Sequence, residues 1–222
     1  MRLETVGLGT EINILQEEGN HFFCIGKNAR DVITRWYLTQ QGNTCRQKRF
    51  LEEVGKALDY IDYDYKIATL EPSLDANGRL YYKEGEKVCT ILSCFEWEEV
   101  IRNFSSSCKT EIATLYELFL WYALRIAKGW LTLEFVCDDS SEKGNYLNSP
   151  NSSHKFEISG AREVGGARDG VGNSYKLVKH GANFVWCGGA YSHLGYQFPM
   201  ATNGYYNPNC VSGFGTAVMT LK

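Results

Sequence analysis

The chain has 222 residues, 44% apolar and 22% charged, enough to bury a substantial core in one compact domain. A formal net charge of −3 and a pI near 5.9 give no basic field, which argues against nucleic acid and anionic membrane as partners. No apolar run approaches the roughly 20 residues of a bilayer span, and Met1-Arg2-Leu3-Glu4-Thr5 lacks the apolar stretch of a secretory signal, so the expectation is a chain that is cytoplasmic as synthesised, with any delivery or secretion independent of a signal peptide.

Residues 1–64 read as a helical N-terminal part. Val32, Ile33, Trp36 and Tyr37 recur at helical spacing over Ala29 to Gln41, and Phe50, Leu51, Val54 and Leu58 do so from Cys45 to about Tyr60. The tight basic run Arg46-Gln47-Lys48-Arg49 suits the solvated face of that second helix. Residues 65–222 read as the catalytic core of one domain spanning 1–222. It opens with short extended segments, Lys66 to Leu70 and Arg79 to Tyr82, on either side of a turn at Asp75-Ala76-Asn77-Gly78. A helix is predicted from Ser93 to about Asn103, with Ser93 and Glu96 forming a capping box worth roughly 1 kcal/mol.

From Cys108 to about Lys128, Ile112, Leu115, Tyr116, Phe119, Tyr122, Ala123 and Ile126 follow one helical face, while Leu118, Leu120, Trp121 and Leu124 make the rest apolar. This predicts a central buried helix, closed by Lys128 and a left-handed Gly129. Leu131 to Cys137 alternates as a strand, and Asp138 to Ser153 reads as a polar loop. The segments Ser174 to Lys179, Asn183 to Cys187, Ala190 to Gln197 and Val211 to Leu221 read as strands of a Gly-rich sheet with tight turns.

Eight cysteines (Cys24, Cys45, Cys89, Cys94, Cys108, Cys137, Cys187 and Cys210) show no disulfide framework in a chain long enough to fold without one, which favours a reducing compartment. No C-x-x-C occurs, and His21, His154, His180 and His193 do not fall at ligand spacing, so no metal and no cofactor are expected. Gly165 to Gly172 has neither the Walker order nor the dinucleotide-binding pattern and reads as a loop.

Chemistry is expected at Cys108, which follows Ser105-Ser106-Ser107 at the predicted start of the central helix. There the unpaired backbone N–H groups would favour thiolate over thiol. A free Cys is more often a small buried apolar residue, so position alone does not make a nucleophile. Its expected partner is His193, on a predicted strand whose small neighbours Gly188, Gly189, Ala190 and Gly195 leave room for substrate. His21 and His154 suit structural or surface roles better, and His180 has the less open surroundings. Trp186, Tyr191 and Tyr196 are candidates for the walls of a cleft.

A helix opening with Cys and packed on an antiparallel sheet bearing His is the plan of papain-like α+β enzymes. A narrower resemblance rests on Glu71-Pro72-Ser73-Leu74-Asp75-Ala76-Asn77-Gly78-Arg79-Leu80, on Ser93-Cys94-Phe95-Glu96-Trp97-Glu98-Glu99-Val100-Ile101, and on Cys108-Lys109-Thr110-Glu111-Ile112-Ala113-Thr114-Leu115-Tyr116. Together with Gly181-Ala182-Asn183-Phe184-Val185 and Tyr191-Ser192-His193-Leu194-Gly195, these stretches resemble the bacterial spore-coat transglutaminases in order and relative spacing over residues 65–198.

That resemblance implies acyl transfer: a thiolate attacks the carboxamide carbonyl of a protein glutamine, ammonia leaves, and a lysine amine or water takes the acyl group from the thioester. By the match Cys108 is the nucleophile and His193 its acid/base partner. The family's two glutamates are matched by Ser107 and Ala182, and a tunnel Trp by Lys179, so the acceptor path departs from the pattern. Asn183 is one candidate for orienting the His; Asn203, Asn207 and Asn209 are others. Lys179, Trp186 and Tyr191 are the expected cleft residues.

The expected function is therefore a transglutaminase-like crosslinking enzyme acting on proteins with exposed glutamine. Protein glutamine deamidation, cleavage of peptidoglycan by a papain-like amidase or endopeptidase, and a catalytically degenerate binding module stand as alternatives. A spore-type crosslinker, a cytosolic enzyme and a delivered toxin or effector countered by an inhibitor or immunity protein are equally compatible contexts.

Overall fold

The computed structural model describes residues 2–5, 13–17, 20–25, 27–60, 65–69, 73–74, 80–81, 94–102, 109–150, 152–155, 171–206 and 216–221. Three strands, β1 (Arg2–Thr5), β2 (Asn13–Glu17) and β3 (Asn20–Ile25), precede the first helix. The helical reading of residues 1–64 is corrected to that extent. These runs are too short to show a helical period, and the aromatic and branched residues of β3 suit a pleated surface. Helices α1 (Lys27–Thr39) and α2 (Cys45–Tyr60) then fall where their spacing predicts. The start of α2 is fixed by Thr44, whose Oγ1 accepts the Gln47 N–H at 3.1 Å. Arg46, Lys48 and Arg49 are exposed, as expected of the basic run, while Gln47 is buried and bonded to Asp138.

Strand β4 (Tyr65–Thr69) is followed by the paired segments β5 (Ser73–Leu74) and β6 (Leu80–Tyr81), and by α3 (Cys94–Arg102). The predicted turn at Asp75 to Gly78 and the predicted capping box of Ser93 and Glu96 lie outside the described residues.

The central helix starts later than its apolar spacing predicts. Thr110–Ile112 is a strand, β7, and the helix α4 spans Leu115–Ala127. Thr114 is its N-cap: Oγ1 accepts the Glu117 N–H at 3.2 Å, and Glu117 Oε2 accepts the Thr114 N–H at 2.6 Å. The same carboxylate oxygen accepts the Thr220 hydroxyl at 2.9 Å, tying the head of the helix to the sheet. Ile112 and Ala113 are buried in either reading, which is why the periodicity runs through the true boundary. At the other end Gly129 is left-handed, at φ +76°, as expected.

The expected strand at Leu131 to Cys137 is instead a short helix, α5 (Leu133–Cys137), because Thr132 caps it and accepts the Phe135 N–H at 3.0 Å. The chain closes with β8 (Lys176–His180), β9 (Asn183–Cys187), β10 (Asn203–Tyr206) and β11 (Thr216–Leu221). Ala190 to Gln197, expected as a strand, is a series of turns, consistent with the small residues around it.

Among the described residues, nine strands form one sheet in the order β1-β2-β3-β4-β11-β8-β9-β10, with β7 also paired to β11. Every pairing is antiparallel except β11 with β8. The architecture is α+β. Helix α4 packs against α1 and α2 on one side and against β8 and β4 on the other. Its residues Leu118, Phe119, Trp121 and Tyr122 join Ile33 of α1, Phe50 and Val54 of α2, and Val178, Val185 and Val218 of the sheet in one core. A helix apolar all round is stable only when enclosed in this way. No helix among the described residues is long and apolar enough to cross a membrane.

Candidate functional site

His193 lies in the turn that follows β9, and four contacts fix it. Its ring packs at a tilt against Phe198 (centroids 4.5 Å apart) and Tyr175 (5.2 Å). Tyr175 and Phe198 each also pack on Trp186, at 4.9 and 6.1 Å. The Ala190 backbone N–H donates to Nδ1 at 3.1 Å, and Nε2 stands 3.1 Å from the Tyr175 hydroxyl. An Nδ1 that accepts from a backbone N–H carries no proton, so the neutral ring has its proton on Nε2 and donates it to Tyr175. Burial holds the pKa of His193 below the usual histidine range, favouring this neutral form.

The turn is anchored from outside as well. Leu147 N–H donates to the His193 carbonyl at 2.9 Å, and Gly195 N–H to Asn148 Oδ1 at 2.8 Å. The polar loop 138–153 is thus the buttress of the His193 turn. Asn145, buried at its centre, donates to Asn173 Oδ1 and to the Lys155 carbonyl, both at 2.9 Å, and accepts the Ser153 N–H at 3.2 Å.

Cys108 lies outside the described residues, as does Ser107. The central helix, expected to open at Cys108, begins at Leu115, and its first turn is capped by Thr114. Thr110–Ile112, which follow Cys108 in the chain, form β7. Along β11, Thr216 faces Lys176 and Leu221 faces Thr110, five residues apart, or roughly 17 Å at about 3.3 Å per residue. Tyr175, which touches His193, immediately precedes Lys176. The neighbours of Cys108 and of His193 therefore stand at opposite ends of the β8–β11 pair. Among the described thiols, burial pushes Cys137 and Cys187 far above the usual range, and Cys45 is exposed on α2.

What occupies the head of α4 is a cleft of about 540 Å³ lined by residues of α3, β7 and the end of β8, among them Glu98, Arg102, Lys109, Glu111, Thr114 and Lys179. Lys179 Nζ pairs with Glu98 Oε1, and Arg102 approaches the same oxygen at 3.7 Å. Lys109 and Glu111 pair at 2.6 Å. Lys179 also lies over the Phe184 ring, 5.0 Å from its centroid.

The remaining predicted residues are dispersed. Asn183 is exposed at the tip of the β8–β9 hairpin opposite His180, so the ring of His193 is oriented by Ala190 and Tyr175 instead. Ala182 is exposed at the same tip. Trp186 is half-buried in the aromatic cluster, and Tyr191 is held by its N–H on the Asn173 carbonyl. Asn203 pairs with Cys187, while Asn207 and Asn209 lie outside the described residues. His180 packs between Tyr116 and Tyr205. Of the expected cleft residues only Lys179 lines the cleft. Its partner Glu98, 81 positions away, and the tyrosine that fixes His193 carry no signal in sequence spacing.

Comparison with protein-family models, with curated proteins and with solved structures finds no match.

Proposed function

We propose that this chain is a papain-like α+β domain of transglutaminase-like plan that works as a binding module, with the cleft at the head of α4 as its binding surface. The observation that carries this reading is the state of His193. A general base needs an unshared lone pair aimed at its target. The lone pair of His193 accepts the Ala190 N–H, and its proton goes to Tyr175. Protonation of Nδ1 would break the first of these bonds in a half-buried ring packed against Tyr175 and Phe198. The layout of a central helix followed by antiparallel β8, β9 and β10 supports the papain-like description. The head of α4 itself carries the Thr114 cap and the Glu98–Lys179 pair.

The competing reading is acyl transfer from protein glutamine through a Cys108 thioester, by transamidation or deamidation. One observation favours it: Lys109, next to Cys108 in the chain, lines the cleft. The two readings part on a single experiment. The purified chain is incubated with a glutamine-rich protein and a lysine donor, and ammonia, lysine crosslinks and the gain of about 1 Da that accompanies deamidation are measured for wild type and Cys108→Ala. The binding reading expects no product above the Cys108→Ala background. Product that requires Cys108 would overturn it and reinstate the enzyme.

A further inference from the structure

The charges that line the cleft indicate what it binds. Among the described residues, three cations, Arg102, Lys109 and Lys179, and two carboxylates, Glu98 and Glu111, line it. A lysine ammonium carries three donors and a guanidinium five, so donor capacity exceeds what two carboxylates accept. The neutral polar side chains are already engaged: the Thr110 hydroxyl donates to the Ile101 carbonyl, and Thr114 Oγ1 accepts the Glu117 N–H. Helix α4 is closed by its own capping box, so recognition falls to the side-chain cations. The cleft volume of about 540 Å³ lies within the range of sites that enclose a ligand.

The position of Glu98 is the most informative feature. A single carboxylate oxygen sits between Lys179 and Arg102, two cations from different elements, β8 and α3. Such a seat accepts any carboxylate of the same geometry. We infer that the cleft binds an acidic peptide segment, one of whose Asp or Glu carboxylates displaces Glu98 from Lys179 and Arg102. This rests on the binding-module reading and names its ligand class. Glu98 acts as an internal competitor: it keeps the seat satisfied when no ligand is bound, and its removal raises affinity. Lys179 is the anchor, since it is the least exposed of the three cations, its aliphatic stem is held at the strand end and its ammonium lies over Phe184.

The test uses the full chain and three end-blocked peptides of alternating Ala with Glu, Gln or Lys. Binding is read by fluorescence anisotropy and calorimetry, and the fold of each variant is checked by near-UV circular dichroism. The Glu peptide is expected to bind and the other two are not, with affinity falling as ionic strength rises from about 0.05 to about 0.3 M. Lys179→Met should weaken binding about tenfold and Glu98→Gln should strengthen it about fivefold. Arg102→Gln, at an exposed position that does not threaten folding, should weaken it about threefold. Equal binding of Glu and Gln peptides, no binding of any peptide, or no gain with Glu98→Gln would overturn the acidic-peptide assignment. Ammonia released from the Gln peptide in a Cys108-dependent manner would instead overturn the binding-module reading itself, so the two failures are distinguishable.

Discussion

Thr114→Ala separates the two possible starts of the central helix by the sign of its effect. With the helix beginning at Leu115, the substitution removes the N-cap acceptor of the Glu117 N–H and costs about 1 kcal/mol. With a helix running from Cys108, residue 114 would be interior, and Thr to Ala would gain up to roughly 0.5 kcal/mol of helix propensity. Glu117→Ala should cost more. Glu117 is 4% exposed and Thr220 is 1% exposed, so losing the carboxylate strips the Thr114 N–H and leaves the Thr220 hydroxyl buried without its acceptor. About 1 kcal/mol for the cap and about 2 for the orphaned hydroxyl give a total near 3 kcal/mol, or a melting temperature lower by about 6–12 °C for a chain of this size. With a helix running from Cys108, Ser107 would be the cap, and Ser107→Ala would cost about 1 kcal/mol. Urea unfolding followed by tryptophan fluorescence gives all three numbers from midpoint shifts. A neutral or stabilising Thr114→Ala together with a Ser107→Ala cost near 1 kcal/mol would refute the boundary at Leu115.

Three further outcomes follow from the geometry. Because burial lowers the His193 pKa, the unfolded chain binds the extra proton first, so stability should fall as pH drops below about 6.5, the ordinary histidine value, and level off below the native one. His193→Gln should flatten that slope in acid-titrated urea midpoints, and an unchanged slope would assign it to other groups. Gly189→Ala should cost about 1–3 kcal/mol in the same urea assay, since its Cβ would lie 2.7 Å from Tyr146 Cε1 and 2.9 Å from the Phe198 carbonyl oxygen, while a neutral result would mean that the aromatic cluster is loosely packed. Thr132→Ala should lose about 1 kcal/mol as an N-cap if residues 133–137 are helical, with hydrogen exchange at Phe135 accelerated. No change in that exchange would return the segment to the strand its alternation predicts.

Helices α1 and α2 and strands β8 and β9 were legible because their apolar spacing agrees with their burial, and β4 falls where its extended segment was expected. The head of α4 was not, because a buried strand and a buried helix share the same apolar composition. The decisive signal was the Thr114-Leu115-Tyr116-Glu117 capping box, set between apolar Ile112-Ala113 and Leu118-Phe119-Leu120. The short alternation of Leu131 to Cys137 could not choose between strand and helix, and the Thr132 cap chose. The candidate site was less legible than the fold. His193 and Lys179 were legible as candidate residues, but not the contacts that hold them: Tyr175, 18 positions from His193, and Glu98, 81 positions from Lys179.

The claim that His193 is a structural rather than a catalytic histidine can be read from its own nitrogens. Long-range proton–nitrogen correlation spectra of the ¹⁵N-labelled chain, recorded across neutral and mildly acid pH for wild type and Cys108→Ser, report the tautomer and charge of the ring directly. The expected result is a neutral ring protonated on Nε2, with Nδ1 shifted as a hydrogen-bond acceptor, titrating below the ordinary histidine value and identically in both proteins. An imidazolium that persists through neutral pH in wild type and is lost in Cys108→Ser would reveal a thiolate–imidazolium pair and contradict the account.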